Sequence, residues 1–469
     1  MTLRLYDTAT RQVRDFEPRK AGEVGMYVCG ATVQAPPHIG HMRSAVAFDV
    51  LTRWLQRTGL RVTYIRNITD IDDKILSKSH AADTPWWAWA AHHERAFTHA
   101  YEALGNLAPT YEPRATAHML DMIDFMDTLV ERGHAYQAGE GNVYFDTRSW
   151  EQYGSLTNQH IEDALPSDDE DESTLKRDPR DFALWKAAKP GEPATAQWAT
   201  PYGTGRPGWH LECSAMAKRY LGEGFDIHGG GLDLRFPHHE NEQAQSKAAG
   251  YEFANFWLHS AWVTQGGTKM SKSLGNGLLV SEVLKNTRAA VLRYALATVH
   301  YRSMLEWTPD TVAEADATWD RILGFIERAT EKIGAIPTAD ITHAPLPDAF
   351  VEAMNDDLNV ACALVRVHEH LKAGNTALAA GDTDAVREHV IAVRAMLDVF
   401  GLDPVQWSTH QEDARVTQAL ESLVHSQIQA RAQARKDRDF ATADAIRDAL
   451  SAAGIVVEDS PTGARWTLA

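Results

Sequence analysis

Three successive stretches near the N-terminus restrict the fold more than anything else in the chain. "GEVGMYVCG" reads as a buried strand and "LRVTYIRNIT" as a second one. Between them, "HMRSAVAFDVLTRWLQRTG" places Val46, Val50, Leu51, Trp54 and Leu55 at helical spacing and stops at Gly59. Strand, helix, strand in this order predicts a right-handed βαβ unit and the start of a parallel, doubly wound sheet. Ligands of such sheets lie beyond the C-terminal ends of the strands, which is where Cys29, Thr69 and Asp70 fall.

The α/β pattern is then interrupted and resumed. Residues from about 80 to 135 read as helical, and residues 140–200 as irregular, with the acidic run "SDDEDES" at 167–173 expected as an exposed loop. Residues 115–200 therefore read as an insertion. The pattern returns with "GWHLECSAMAKRYLG" as a helix, "GFDIHGGG" as a strand and "PHHENEQAQSKAAG" as a helix. Beyond about residue 315 nearly everything favours helix, with loops expected at "AIPTADITHAPLP" and "GLDPVQWSTHQED". The last stretch, "GIVVEDSPTGARWTLA", reads as a small β-hairpin.

Composition narrows the setting. A chain of 469 residues with 44% hydrophobic content can bury several cores. Its three cysteines, Cys29, Cys213 and Cys362, are odd in number and far apart, which argues against a disulfide framework and for a reducing compartment. The opening "MTLRLYDTATRQV" lacks the apolar core of a secretory signal, and no apolar run is long enough to span a bilayer. A soluble cytoplasmic protein is expected. The formal charge of −18 counts against general nucleic-acid binding, but a local basic patch is enough for it. "QARAQARKDRD" supplies one, with Arg431, Arg435, Lys436 and Arg438; on a helix such a run also fits a solvated face.

Two short motifs carry chemistry. His38, Gly40 and His41 stand at the mouth of the first long helix, where free N–H groups and the helix dipole favour a phosphate. Gly40 allows close backbone approach, and histidines there could stabilise the charge of a phosphoryl transition state. Taken alone, the four residues fit a plain helix cap with two surface histidines at least as well. Further on, "GGTKMSKSLGN" presents Lys269 and Lys272 with Ser271 and Ser273 between glycines, a polar cationic loop able to close over a polyphosphate.

HIGH followed far downstream by KMSKS resembles the class I aminoacyl-tRNA synthetases. Together with "MYVCGATV", "RNITDIDDKI", "GRPGWHLECSAM", "FDIHGGGLDLRFPHHENEQAQS" and the C-terminal "QARKDRDFATADAIRDALSAAGIVVEDSPTGARW", it resembles the cysteinyl-tRNA synthetases over most of the chain. The resemblance implies an α/β, Rossmann-type catalytic domain with an insertion, then a helical bundle and a small C-terminal α+β region that binds the anticodon. The corresponding division is 1–114 and 201–262 for the catalytic halves, 115–200 for the insertion, and 263–315 for the KMSKS-bearing junction. Residues 316–404 would form the tRNA-binding bundle and 405–469 the anticodon-binding region.

The resemblance also implies an activity, ATP-dependent joining of L-cysteine to tRNA(Cys), and one zinc ion held by Cys29, Cys213, His238 and Glu242. Without it, Cys29 and Cys213 would read as buried apolar fillers. His238 and Glu242 are four apart and share a helix face, whereas His239 and Glu240 point elsewhere. Zinc would select cysteine by its sulfur, and Mg²⁺ would accompany ATP. His38, Gly40 and His41, Gly229, Gly230, Gly231 and Asp233, and Lys269, Ser271 and Lys272 are expected to bind ATP, with the two histidines and two lysines catalytic. Gly30, Thr32, Thr69, Asp70 and Trp209 are expected to line the amino-acid pocket; Trp209 also fits ordinary core and Asp70 a helix cap. One departure stands out: Gln34-Ala35 replaces an aromatic-acidic pair usual in the family. Two rivals remain, a cysteine-activating ligase of the mycothiol pathway, which lacks the C-terminal region, and a non-catalytic zinc-stabilised RNA-binding paralogue. No heptad pattern is present, and a monomer without membrane attachment is expected.

Overall fold

In the structure of the chain, a computed structural model, residues 2–158, 175–269, 278–460 and 463–468 are described. They fall into two units, residues 1–403 and 404–469. The acidic run at 167–173 and residues 270–277 of the KMSKS loop lie outside the described residues.

The first unit opens with an antiparallel hairpin, β1 (Arg4–Asp7) and β2 (Gln12–Asp15). The βαβ unit follows as β3 (Glu23–Val28), α1 (Ile39–Arg57) and β4 (Arg61–Arg66), with β3 and β4 parallel. All five apolar positions read as one face of α1 are buried, because that stripe is the helix's share of the core. Helices α2 (Asp73–Ala81), α3 (Trp86–Ala103) and α4 (Met119–Glu131) come next.

Part of the segment read as irregular is a sheet. β5 (Ala135–Gln137), β6 (Val143–Phe145), β7 (Phe182–Ala187), β8 (Trp198–Thr200) and β9 (Gly203–Pro207) pair antiparallel in the order β5-β6-β7-β9-β8. Most of these strands are only three residues long, too short for alternation to show against the flanking turns.

The α/β frame resumes with α5 (Trp209–Leu221), β10 (Gly224–Gly231), α6 (Glu240–Ala248) and β11 (Phe253–Ser260). The parallel sheet has the order β11-β10-β3-β4. From β3 the chain winds one way to β4, and from β10 the other way to β11. The crevice between the ends of β3 and β10 is therefore a topological switch point, where such sheets bind ligands. Cys29 N–H donates to Gly229 O at 2.9 Å across it. α1 covers one face, since a Cβ on Gly229 would strike the Phe48 ring at 2.2 Å. His228, the preceding residue, points to the opposite face and reaches Glu242 of α6.

β12 (Val263–Gln265), β13 (Thr268–Lys269), α7 (Val280–Val283), α8 (Ala289–Ala297) and β14 (Leu305–Glu306) form the junction. The helical bundle comprises α9 (Pro309–Ile333), α10 (Thr338–Thr342), α11 (Asp348–Asn355), α12 (Val360–Ala380) and α13 (Thr383–Val399). In the second unit, α14 (Pro404–Lys436) starts within the stretch read as a loop, and α15 (Phe440–Ala452) leads into the antiparallel hairpin β15 (Ile455–Ser460) and β16 (Gly463–Leu468). Proline suits the first turn of a helix, where its missing N–H would have no partner anyway. Val424, Leu450 and Ile455 are the core of this unit.

Candidate active site and metal centre

Four residues from three remote segments meet at the switch point. Cys29 follows the end of β3, Cys213 lies in α5, and His238 and Glu242 flank the start of α6. One ligand atom from each, two sulfurs, an imidazole nitrogen and a carboxylate oxygen, all lie within 4.8 Å of one another. Cys29 Sγ donates to Glu242 Oε1 at 3.3 Å, and His238 Nε2 lies 3.1 Å from the same oxygen. Burial, followed by His210 and His228 nearby, drives His238 well below the usual imidazole range, so it is neutral, as a metal ligand must be. Burial and the Glu242 carboxylate push both thiols up. Two soft sulfurs, a neutral imidazole and a carboxylate fit zinc. A cation among them would supply the charge that lets the thiols ionise.

Cys29, His228, His239 and Glu242 form a second possible quartet. The first set is the better zinc site because it offers two sulfurs. His228 is already spent on orienting the carboxylate, with Nε2 2.8 Å from Glu242 Oε2, and His239 Nε2 stands 4.0 Å from Glu242 Oε1, against 3.1 Å for His238 Nε2. Such outer partners fix a ligand's orientation. Glu240 does not face the quartet. It accepts from Gly154 N–H, Thr157 N–H and the Thr157 hydroxyl at 3.0, 2.8 and 2.8 Å, clasping the middle of the insertion onto α6. Sequence reading assigned no role to His228, His259 or Tyr27; the β3–β10 register that brings His228 opposite Tyr27 leaves no trace in either segment alone.

At the mouth of α1 both histidines cap the helix. His38 Nδ1 accepts from Gly40 N–H and His41 Nδ1 from His38 N–H, each at 3.1 Å, and the rings stack 3.7 Å apart. With Nδ1 accepting, the neutral ring carries its proton on Nε2 and is a donor there. The residues on either side of the undescribed KMSKS segment are anchored. Thr268 and Lys269 pair with β12, while Ile39 N–H donates to Leu278 O at 3.0 Å and Val280 N–H to Pro37 O at 3.1 Å. Ser271 and Lys272 lie outside the described residues.

The remaining candidates divide. A Cβ on Gly30 would lie 1.7 Å from Asn67 O, and Gly30 N–H donates to Asn67 Oδ1 at 2.8 Å, so glycine is required by the neighbouring strand end. Thr32 and Thr69 pair across the same gap, and the Thr69 hydroxyl donates to the buried Glu212 at 2.8 Å. Asp70 is occupied by Thr116, accepting from its N–H at 3.0 Å and its hydroxyl at 2.5 Å, whereas the cap of α2 is Asp72. Trp209 is 37% exposed and stacks on His238 with centroids 4.1 Å apart, so it lies against that imidazole rather than in the core. Gly229 serves the packing of Phe48, Gly230 abuts His239, and Asp233 folds back towards Gly231. At the departure noted in the sequence, Trp89 Nε1–H donates to Gln34 O at 3.0 Å.

A parallel sheet with its site at this switch point is the frame of a class I aminoacyl-tRNA synthetase. Residues 15–317 match the family described as tRNA synthetases class I (C) catalytic domain. Residues 349–404 match the DALR domain, and 417–466 the cysteinyl-tRNA ligase anticodon binding domain. The fold is shared with Mycobacterium tuberculosis methionyl-tRNA synthetase in complex with methionyl-adenylate. That likeness has a TM-score of 0.56 at 13% identity, over 81% of this chain and 90% of that one. The chain is 61% identical to the cysteine–tRNA ligase of Beutenbergia cavernae, over 100% of this chain and 99% of the relative. It is 56% identical to that of Streptomyces avermitilis with the same coverage. The chain belongs to the cysteine–tRNA ligase family.

Proposed function

We propose that the protein joins L-cysteine to ATP as cysteinyl-adenylate, transfers the aminoacyl group to tRNA(Cys), and selects the amino acid through one zinc ion on Cys29, Cys213, His238 and Glu242. The observation that carries the selection is the convergence of those four ligand atoms beside the stacked Trp209. Zinc bound there supplies a soft partner for the substrate thiolate, which serine's hydroxyl matches poorly and alanine lacks altogether. A hydrophobic pocket alone separates such near-isosteres by only about a hundredfold.

The chain's own groups would do the rest by position and charge. The cysteine carboxylate attacks the α-phosphorus of ATP and pyrophosphate leaves. His38 and His41, which the cap hydrogen bonds hold as Nε2–H donors, face charge developing on the phosphates. Lys269 and Lys272 receive the leaving pyrophosphate, with Mg²⁺ entering on ATP. Gly231, at the end of β10, and Asp233, just beyond it, would contact the nucleoside. A hydroxyl of the terminal adenosine of the tRNA then takes the aminoacyl group. The match of residues 417–466 to an anticodon binding domain supports tRNA rather than an amino sugar as acceptor.

Cysteine-dependent ATP–pyrophosphate exchange, run with zinc-loaded and zinc-stripped protein and with serine as competitor, tests this reading. Zinc removal is expected to abolish the preference for cysteine over serine. An unchanged preference in metal-free protein would refute the zinc assignment. Charging of tRNA, set against transfer to an amino sugar, tests the acceptor.

A further inference from the structure

Glu212 stands on α5 immediately before Cys213 and is 1% exposed. The charged groups that bear on it are Asp72 and Asp70, and among the described residues no cationic side chain pairs with it. A carboxyl buried without a cation is costly to keep, so what it holds matters. The Thr69 hydroxyl donates to Glu212 Oε2 at 2.8 Å, and its oxygen accepts from Asn67 Nδ2 at 3.2 Å. Asn67 Oδ1 in turn accepts from Gly30 N–H at 2.8 Å. The direction is fixed from one end. A backbone N–H can only donate, so the amide oxygen of Asn67 faces Gly30, its NH₂ faces Thr69, and the hydroxyl proton is left for Glu212. Asn67 and Thr69 are buried as deeply as Glu212, and water does not compete for these bonds.

Gly30 follows Cys29, and Glu212 precedes Cys213. Three hydrogen bonds therefore run past the end of β4 from the neighbour of one sulfur ligand to the neighbour of the other. The backbone strengthens the first half, with Thr69 N–H donating to Ala31 O at 3.3 Å and Val33 N–H to Thr69 O at 3.2 Å. We propose that Glu212 is a positioning residue that, through Thr69 and Asn67, sets the spacing of Cys29 and Cys213 for the metal. The proposal rests on the zinc reading above. A tetrahedral zinc ion holds each sulfur at about 2.3 Å, so it tolerates little play between the end of β3 and α5. Cys29 lies beyond the last residue of β3, and α5 begins without a side-chain cap; the relay braces these two ends against each other. Leucine at 212 would fill similar space but end the relay at Thr69. Glutamine would keep an oxygen for the Thr69 hydroxyl to reach.

The test reads zinc retention against a chelator in full-length protein without substrate, beside the KM values for cysteine and ATP in pyrophosphate exchange. In Glu212→Leu zinc retention should fall about tenfold, the scale for loss of an outer support of a metal ligand. The KM for cysteine should rise while that for ATP stays put, and Glu212→Gln should restore both readouts. Asn67→Leu breaks the relay nearer Cys29 and should cost the same. The double variant should then lose about tenfold, not the hundredfold product of the two, because members of one network are not additive. Thr69→Val removes the central hydroxyl with little change of shape and decides the matter by zinc retention if leucine at 212 or 67 prevents folding. A fall in melting temperature with zinc retention unmoved, or single losses that multiply, overturns the proposal and leaves Glu212 as packing. Wild-type protein that binds no zinc overturns the zinc reading and the proposal with it.

Discussion

Cys213 and His38 show how differently single residues can be tested. Replacing Cys213 by serine removes a soft donor from a buried cluster while changing little volume. The variant is expected to lose most of its zinc, measured by metal analysis, and its cysteine-over-serine preference in pyrophosphate exchange should fall towards the roughly hundredfold limit of a metal-free pocket. His38 has two duties, the helix cap and the proposed phosphate contact, and they can be separated. His38→Ala should cost about 1 kcal/mol through the lost cap, and kcat should drop on the order of a hundredfold or more through the lost donor. His38→Asn should restore the cap and the melting temperature but not the rate. Recovery of both would reduce the histidine to a cap. The pair at 38 and 41 was legible in the sequence as either a cap or a phosphate site; in the structure the ring Nδ1 atoms take the first role, and that role fixes the tautomer the second would need.

At the scale of elements, α1 is tied down by buried charge. Arg43 donates to Leu296 O and His300 O at 2.5 and 2.7 Å, which joins the helix of the HIGH turn to the segment after the KMSKS loop. Asp49 pairs with Arg53 and with Arg293, which also donates to Leu104 O and Phe400 O. Burial works against charge on both partners. For Asp49 the two arginines outweigh it and hold the carboxyl below its usual range, whereas burial leaves Arg293 lowered despite Asp49. Such a pair adds little net stability, but it is costly to break from one side. Asp49→Ala strands Arg293 and should lower unfolding free energy by about 3–5 kcal/mol, read by chemical denaturation. Because the folded pKa of Asp49 is depressed, its contribution is present above the unfolded value of about 3.9 and fades as pH falls through the folded value. The gap between wild type and Asp49→Ala should therefore narrow in acid. None of this was visible beforehand, since a lone Asp or Arg on an amphipathic helix reads as solvent-facing. The misreadings at this scale have simple causes: three-residue strands are too short to alternate, and "GLDPVQW" contains both the glycine that ends α13, Gly401 with φ 63°, and the proline that begins α14.

For the whole molecule, the division into residues 1–403 and 404–469 separates the proposed chemistry from the proposed anticodon contact. Arg435, Lys436 and Arg438 are exposed at the end of α14 and just beyond it, and the second unit has its own core. Reversing Arg431 and Arg435 to glutamate should leave cysteine-dependent pyrophosphate exchange intact and raise the KM for tRNA about tenfold or more at moderate salt, as expected for lost phosphate contacts. Equal loss of both activities would count against the assignment. What the chain's order of residues fixed unaided was local and strongly periodic: the βαβ start, the helical stripe of α1, the bundle, the terminal hairpin, and two motifs each held within a few residues. The metal cluster was reached only through family resemblance, because its parts share no spacing. What tertiary structure alone decided was which lone residues meet. Strand register set His228 beside Tyr27, and helix packing brought Cys213 and Glu242 over Cys29. The physical reason is that alternation and helical pitch are properties of one segment, whereas register and packing are settled between segments, by burial and hydrogen bonding that no single stretch encodes.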